Sequence, residues 1–224
     1  MEEKDSSEMN MAADSKEEEK EKIRFMDTHS QKKNHQAETN PDGAGPVPER
    51  QPDLTGITWI KDPGGRFPRF TLADENATLH FGRLLGTLAA DGDVYCLSGD
   101  LGAGKTLMSK GVCEALGVPE EEVVSPTFAL MNIYSGKIME ARHFDLYRLD
   151  SPEDLADIGF YEYVGGEGVS LIEWGELFTS ELPPEYLQVN LTIVPEGREV
   201  ELIPYGLRYE AVSKEVLRYV NTGA

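Results

Sequence analysis

Cysteine is nearly absent. Only Cys96 and Cys113 occur in 224 residues, with no CxxC pair and no Cys/His spacing of a metal site. Both stand in apolar stretches and read as reduced core residues of a reducing compartment. Basic residues are also scarce: 21 Lys and Arg against 41 Asp and Glu give a formal net charge of −20. General affinity for nucleic acid or an anionic membrane needs clustered Lys and Arg, so this charge argues against it. No uncharged apolar run is long enough to span a bilayer. The opening stretch MEEKDSSEMNMAADSKEEEKEK has neither the apolar region of a signal peptide nor the Arg-rich, acid-poor character of a transit peptide. The expectation is a cytoplasmic protein without a membrane partner.

Apolar residues are thin over residues 1–55, where 14 acidic side chains face 8 basic ones. Too little apolar surface is available there to offset the entropy of ordering, which predicts a disordered acidic N-terminal tail. The remainder, 56–224, is also acidic but patterned. RFTL (69–72) reads as a short strand, and a helix is predicted from about Asp74 to Ala90, with Ala77, Phe81, Leu84, Leu85 and Leu88 on one face. VYCLS (94–98) is a buried strand, and a helix from about Lys105 to Leu116 ends at Gly117 and Pro119. Residues 128–148 form two strands joined at Ser135-Gly136, and Ser151 with Pro152 and Asp154 starts a helix. VSLIEW (169–174) is another buried strand. LQVNLTIVPEGREVELIPYG alternates as a hairpin, and the last helix runs from about Tyr209 to Val220. Strands alternating with helices first and pairing as hairpins later predict an α/β mixed sheet flanked by helices, with antiparallel strands in the second half.

Three glycines fall within six residues at Gly99, Gly102 and Gly104. Gly99-Asp100-Leu101-Gly102-Ala103-Gly104-Lys105-Thr106 matches G-x-x-x-x-G-K-[ST] between a buried strand and a helix. Phosphate oxygens must be surrounded by backbone N–H groups, so side chains are kept out of such a loop, and the following helix aims its N-terminus at the same anion. Lys105 is placed for the β- and γ-phosphates and Thr106 for Mg²⁺. The DxxG and NKxD patterns of GTPases do not follow, so ATP is expected over GTP.

The remaining members of such a site are less legible. Glu173 ends the strand VSLIEW, where a carboxylate could help hold Mg²⁺, or it is an ordinary strand-end acid. Asp145 in HFDLYR could order an attacking water, or pair with Arg148 as a structural group. Thr127 in SPTF stands where other nucleotide switches sense the γ-phosphate, but Ser-Pro-Thr is also common turn chemistry. His143 reads as a packed strand residue. Trp174 is either core or a nucleotide neighbour.

Together, GDLGAGKT, SPTF, HFDLYRL and a hydrophobic strand ending in EW, in this order and spacing, resemble the TsaE family, ATPases of bacterial threonylcarbamoyladenosine synthesis in tRNA. The resemblance covers about residues 67–205, and LADENAT (72–78) and GRE (197–199) extend it. It implies a P-loop NTPase-like domain over 56–224. It implies phosphate binding by Gly99, Gly102, Ala103, Gly104, Lys105, Thr106 and Leu107. Mg²⁺ would be held by Thr106 and Glu173, and Asp145 and Lys105 would be the catalytic pair. Glu75, Thr127, Trp174 and Arg198 would approach the nucleotide. TsaB and TsaD are the implied partners, with tRNA met only indirectly through them. One position departs: the family usually has a second Thr after GKT, where this chain has Leu107, so weaker nucleotide affinity is expected. A small-molecule kinase using the same loop is the alternative, but no cluster of Arg after the loop marks a lid over the phosphates. A binding module without turnover would be expected to lack Asp145 or Glu173, and both are present.

Overall fold

The computed structural model describes residues 52–62 and 64–222. The tail expected over 1–55 lies, as far as residue 51, outside the described residues. Leu54 already packs against the core, and its carbonyl accepts from the N–H of Ile57 at 3.1 Å.

The strands are β1 (Ile57–Trp59), β2 (Arg69–Leu72), β3 (Val94–Ser98), β4 (Met131–Ser135), β5 (Glu140–Asp145), β6 (Val169–Glu173), β7 (Tyr186–Val194) and β8 (Gly197–Tyr205). The helices are α1 (Glu75–Thr87), α2 (Lys105–Ala115), α3 (Pro152–Asp157), α4 (Phe160–Tyr163) and α5 (Leu207–Thr222). One sheet runs in the order β1-β2-β8-β7-β3-β6-β5-β4. The pairs β7-β3, β3-β6 and β6-β5 are parallel, and the others are antiparallel. The antiparallel part therefore includes the two earliest strands, which join the late hairpin through β8.

Every residue of β3 and β6 is buried, as parallel strands covered on both faces require. Alternation divides them between two cores. Tyr95 and Leu97 face a cluster that includes Phe81, Met108, Val112 and Val216 from α1, α2 and α5. Val94 and Cys96 face a smaller one with Leu155 and Phe160 from α3 and α4. The result is three layers.

Three local devices set helix ends. Asp74 caps α1 by accepting from the N–H of Ala77 at 2.8 Å. The helix stops at Thr87 rather than near Ala90 because Asp93 turns the chain back, its carboxylate accepting from the N–H of Ala90 at 2.9 Å. At α3, where a helix start was expected at Ser151, Ser151 and Asp154 form a reciprocal capping box.

Helices α1 and α2 lie unusually close. A Cβ at Gly82 would strike the Met108 carbonyl oxygen, and one at Gly111 would strike that of Leu79. This approach places the N-terminus of α1 beside that of α2.

Candidate nucleotide-binding site

The site is built where β3, β6 and β5 end. These strands are parallel neighbours, so their C-terminal residues emerge along one edge, with Asp145 paired to Glu173 and Glu173 to Leu97 in register. The loop after β3 runs from Gly99 to Gly104, and α2 begins at Lys105. Gly104 stands at φ +107° as the cap of α2, a left-handed conformation that favours glycine. Gly99 combines φ +140° with an approach so close that a Cβ would meet the Leu191 carbonyl oxygen.

Lys105 is the first residue of α2 and is buried. Its ammonium donates to the carbonyls of Gly99 at 2.6 Å and Asp100 at 3.1 Å. It also lies 3.8 Å from the ring centroid of Trp174, within cation–π range. Burial lowers its pKa, and the charges of Glu173, Glu176, Asp145 and Asp100 oppose that shift. Trp174 follows β6 at φ +63°, a strained position for a bulky residue. The turn brings its indole under the ammonium and against Tyr147, ring centroids 4.9 Å apart.

The two carboxylates are both buried. Glu173 accepts from the Thr106 hydroxyl at 3.1 Å through Oε2, and Oε1 lies 2.7 Å from His143 Nε2. Asp145 accepts from the Thr127 hydroxyl at 2.6 Å and from the N–H of Tyr147 at 3.1 Å. Thr127 is bonded in turn to Ser125, the hydroxyl oxygens 2.7 Å apart. Among the described residues Asp145 makes no ion pair with Arg148, whose guanidinium instead lies over the ring of Phe128.

Arg198, near the start of β8, donates to the carbonyls of Ala103 at 3.0 Å and Gly102 at 3.1 Å. It braces the loop from the hairpin side. A cavity of about 560 Å³ gathers Glu75, Gly102, Ala103, Gly104, Lys105, Thr106, Leu107, Thr127, Asp145, Glu173, Trp174 and Arg198 in its wall. Gly99 is not in that wall and instead holds Lys105 through its carbonyl. Asp74, Thr78 and Ser125 also line the cavity. The sequence reading did not single them out, and each is neighbour to an expected residue. His143 is buried, as expected, but it is also bonded to Glu173. The available signal was its spacing: His143 and Asp145 are two apart on a strand and so share a face.

The donor set suits Mg²⁺. Thr106 Oγ1 and Glu173 Oε2 are hard oxygen atoms at the foot of the loop. Among the described residues no three His, Cys, Asp or Glu are grouped to cage a metal. Mg²⁺ is ordinarily held by one or two protein oxygens together with phosphates and water.

The sequence profile of the family described as threonylcarbamoyl adenosine biosynthesis protein TsaE matches residues 72–200. The chain is 44% identical over 124 residues to the tRNA threonylcarbamoyladenosine biosynthesis protein TsaE of Treponema pallidum, covering 55% of this chain and 90% of that protein. It is 39% identical over 140 residues to the protein of the same name from Bacillus subtilis, covering 62% and 87%. The crystal structure of Bacillus subtilis YdiB superposes with a TM-score of 0.57 at 29% identity, over 73% of this chain and 97% of that one. No helix among the described residues is long and apolar enough to cross a membrane. With the profile spanning more than half of the chain and the phosphate loop and both carboxylates inside the matched stretch, the chain belongs to the TsaE family.

Proposed function

We propose that the chain is an Mg²⁺-dependent ATP-binding and ATP-hydrolysing protein of threonylcarbamoyladenosine synthesis in tRNA. In this reading it works in the cytoplasm on a complex of TsaB and TsaD and supports that complex's turnover, meeting tRNA only through its partners. The observation that carries the proposal is the Thr106–Glu173 contact at 3.1 Å, in one cavity with Lys105 and the Thr127–Asp145 bond.

Each group then has a task. The N–H groups of the loop and the N-terminus of α2 receive the phosphates. Lys105 exchanges its two carbonyl partners for β- and γ-phosphate oxygens, keeping its charge beside four carboxylates. Mg²⁺ held by Thr106 and Glu173 would neutralise charge building on the β,γ-bridge. Asp145 and Thr127 orient water for attack on the γ-phosphorus, Asp145 as the acceptor of its proton. Trp174 and Tyr147 shield one side of the ammonium.

A small-molecule kinase is less well supported. The cations in the cavity wall are Lys105 and Arg198, and Arg198 is committed to loop carbonyls rather than to a lid. The test is phosphate release by the purified chain, alone and with TsaB and TsaD, against a panel of phosphoryl acceptors. Release to water that rises with TsaB and TsaD supports the proposal, whereas transfer to an acceptor supports the kinase.

A further inference from the structure

Glu173 uses its two carboxylate oxygens differently. Oε2 accepts from Thr106, at the foot of the phosphate loop. Oε1 faces inward, 2.7 Å from His143 Nε2. His143 lies wholly inside the protein, on β5 beside the strand that ends in Glu173. Its second nitrogen, Nδ1, is buried without a hydrogen-bond partner, and its ring centroid lies 6.3 Å from that of Tyr134.

An imidazole costs free energy to bury unless it is bonded, and here only one nitrogen is. An apolar side chain would fill the same space without leaving a polar atom unmatched. The Glu173 contact is therefore what an imidazole supplies at this position. A carboxylate accepts and does not donate, which places the proton on Nε2. The terminal torsion of Glu is broad and nearly two-fold, so a lone strand-end carboxylate has no fixed plane. A donor fixed on one oxygen sets that plane and leaves the other oxygen facing out.

We propose that His143 is a positioning residue for Glu173. It holds Oε1 and thereby presents Oε2 to Thr106 and to the divalent cation that enters with the nucleotide. The inference rests on the Mg²⁺–nucleotide reading of the site. Its chemistry is that of an imidazole N–H donor behind a metal-binding carboxylate. Partners of this kind usually matter by about 10- to 100-fold in metal affinity.

Three variants of the full chain test it. In His143→Gln the amide nitrogen falls near the place of Nε2 and can still donate to Glu173. In His143→Asn the amide is too short to reach it, and His143→Leu has no donor. The measurements are the dissociation constant of a fluorescent N-methylanthraniloyl ATP across a Mg²⁺ series, the same constant in EDTA, and the thermal midpoint. Expected are near-wild-type binding in EDTA for all three and a Mg²⁺ requirement about tenfold higher for Asn and Leu. The Gln variant is expected within about threefold of wild type by the same reasoning. The Gln–Asn pair carries the test if Leu does not fold, since both place an amide in the same space. An unchanged Mg²⁺ requirement in Asn, or equal shifts in Gln and Asn that follow the thermal midpoint, overturns the positioning role and leaves the site reading intact. Wild-type binding indifferent to Mg²⁺ overturns the site reading, and the positioning role with it.

Discussion

The two halves of the sheet differ in where their strands end. In the parallel half, β3, β6 and β5 all finish on one edge, and each finishes at a reactive group: the phosphate loop, Glu173 and Asp145. In the antiparallel wing of β1, β2 and β8 neighbouring strands finish on opposite edges, and Arg198 reaches the loop by hydrogen bonds to its carbonyls. The burial of the two halves differs accordingly. β6 is buried along its whole length, while β8 alternates buried and half-exposed positions through its centre. On the half-exposed side Arg69 of β2 pairs with Glu199 of β8. Parallel neighbours concentrate chemistry at one edge because their ends coincide. The wing extends the hydrophobic core and steadies the loop.

That contrast is open to attack by substitution. The largest effect is expected in the parallel half. Lys105→Ala should lower ATP turnover by about 10³ or more, because one buried ammonium is lost from the phosphates. Circular dichroism and the thermal midpoint should show a folded protein, and turnover at the wild-type rate would remove the phosphate-loop reading. Next is Glu173→Ala, expected to raise the Mg²⁺ needed for half-maximal turnover by about tenfold or more. A collapse of the thermal midpoint with an unchanged Mg²⁺ requirement would make Glu173 structural.

In the wing, Arg198→Ala removes two donors to loop carbonyls. Each such bond contributes about 1 kcal/mol, so nucleotide affinity should fall by roughly 5- to 30-fold while the rate at saturation holds. A loss in saturated rate as large as that of Lys105→Ala would break the division between the halves.

The smallest effect is one of pH. Burial pushes the thiols of Cys96 and Cys113 up to about 12, while a cysteine in an unfolded chain titrates near ~8.5. Below that value both states keep their protons and the stability is fully present. As pH rises toward about 12, the unfolded chain releases protons that the folded chain retains, so stability falls. Urea midpoints at pH 7, 9 and 10 should decline in that order. Neither thiol should react with a disulfide reagent until the protein unfolds. Both sit in the half that carries the site, on β3 and α2, so prompt reaction in the native state would show that this half opens locally.

Legibility in the sequence followed the range of the interaction. The phosphate loop, β3 and α2 are consecutive and announce themselves through glycine and a buried run. The capping box at Ser151 is equally local. What the sequence left open depends on strands far apart in the chain. That Asp145 lies beside Glu173 follows from the pairing of β5 with β6, and the alternative of an Asp145–Arg148 pair could be rejected only once Arg148 was seen over Phe128. The role of His143 was hidden for the same reason, since its partner is on the next strand. Arg198 lines the cavity, and its donors go to the loop backbone, which the hairpin must fold over to meet. Hydrophobic periodicity runs on to about Ala90, past the end of α1 at Thr87, and only the Asp93 turn stops the helix there.

In the proposed function, the carboxylates ending the parallel strands turn a phosphate-binding loop into a hydrolytic site. Asp145→Asn tests it most directly, being nearly isosteric and neutral. Nucleotide binding is titrated first, and single-turnover hydrolysis is then measured at full occupancy on the same preparation, with TsaB and TsaD present. Binding within a few-fold of wild type and hydrolysis slower by about 10² to 10⁴ are expected. Hydrolysis at the wild-type rate in fully occupied, folded Asp145→Asn would contradict it.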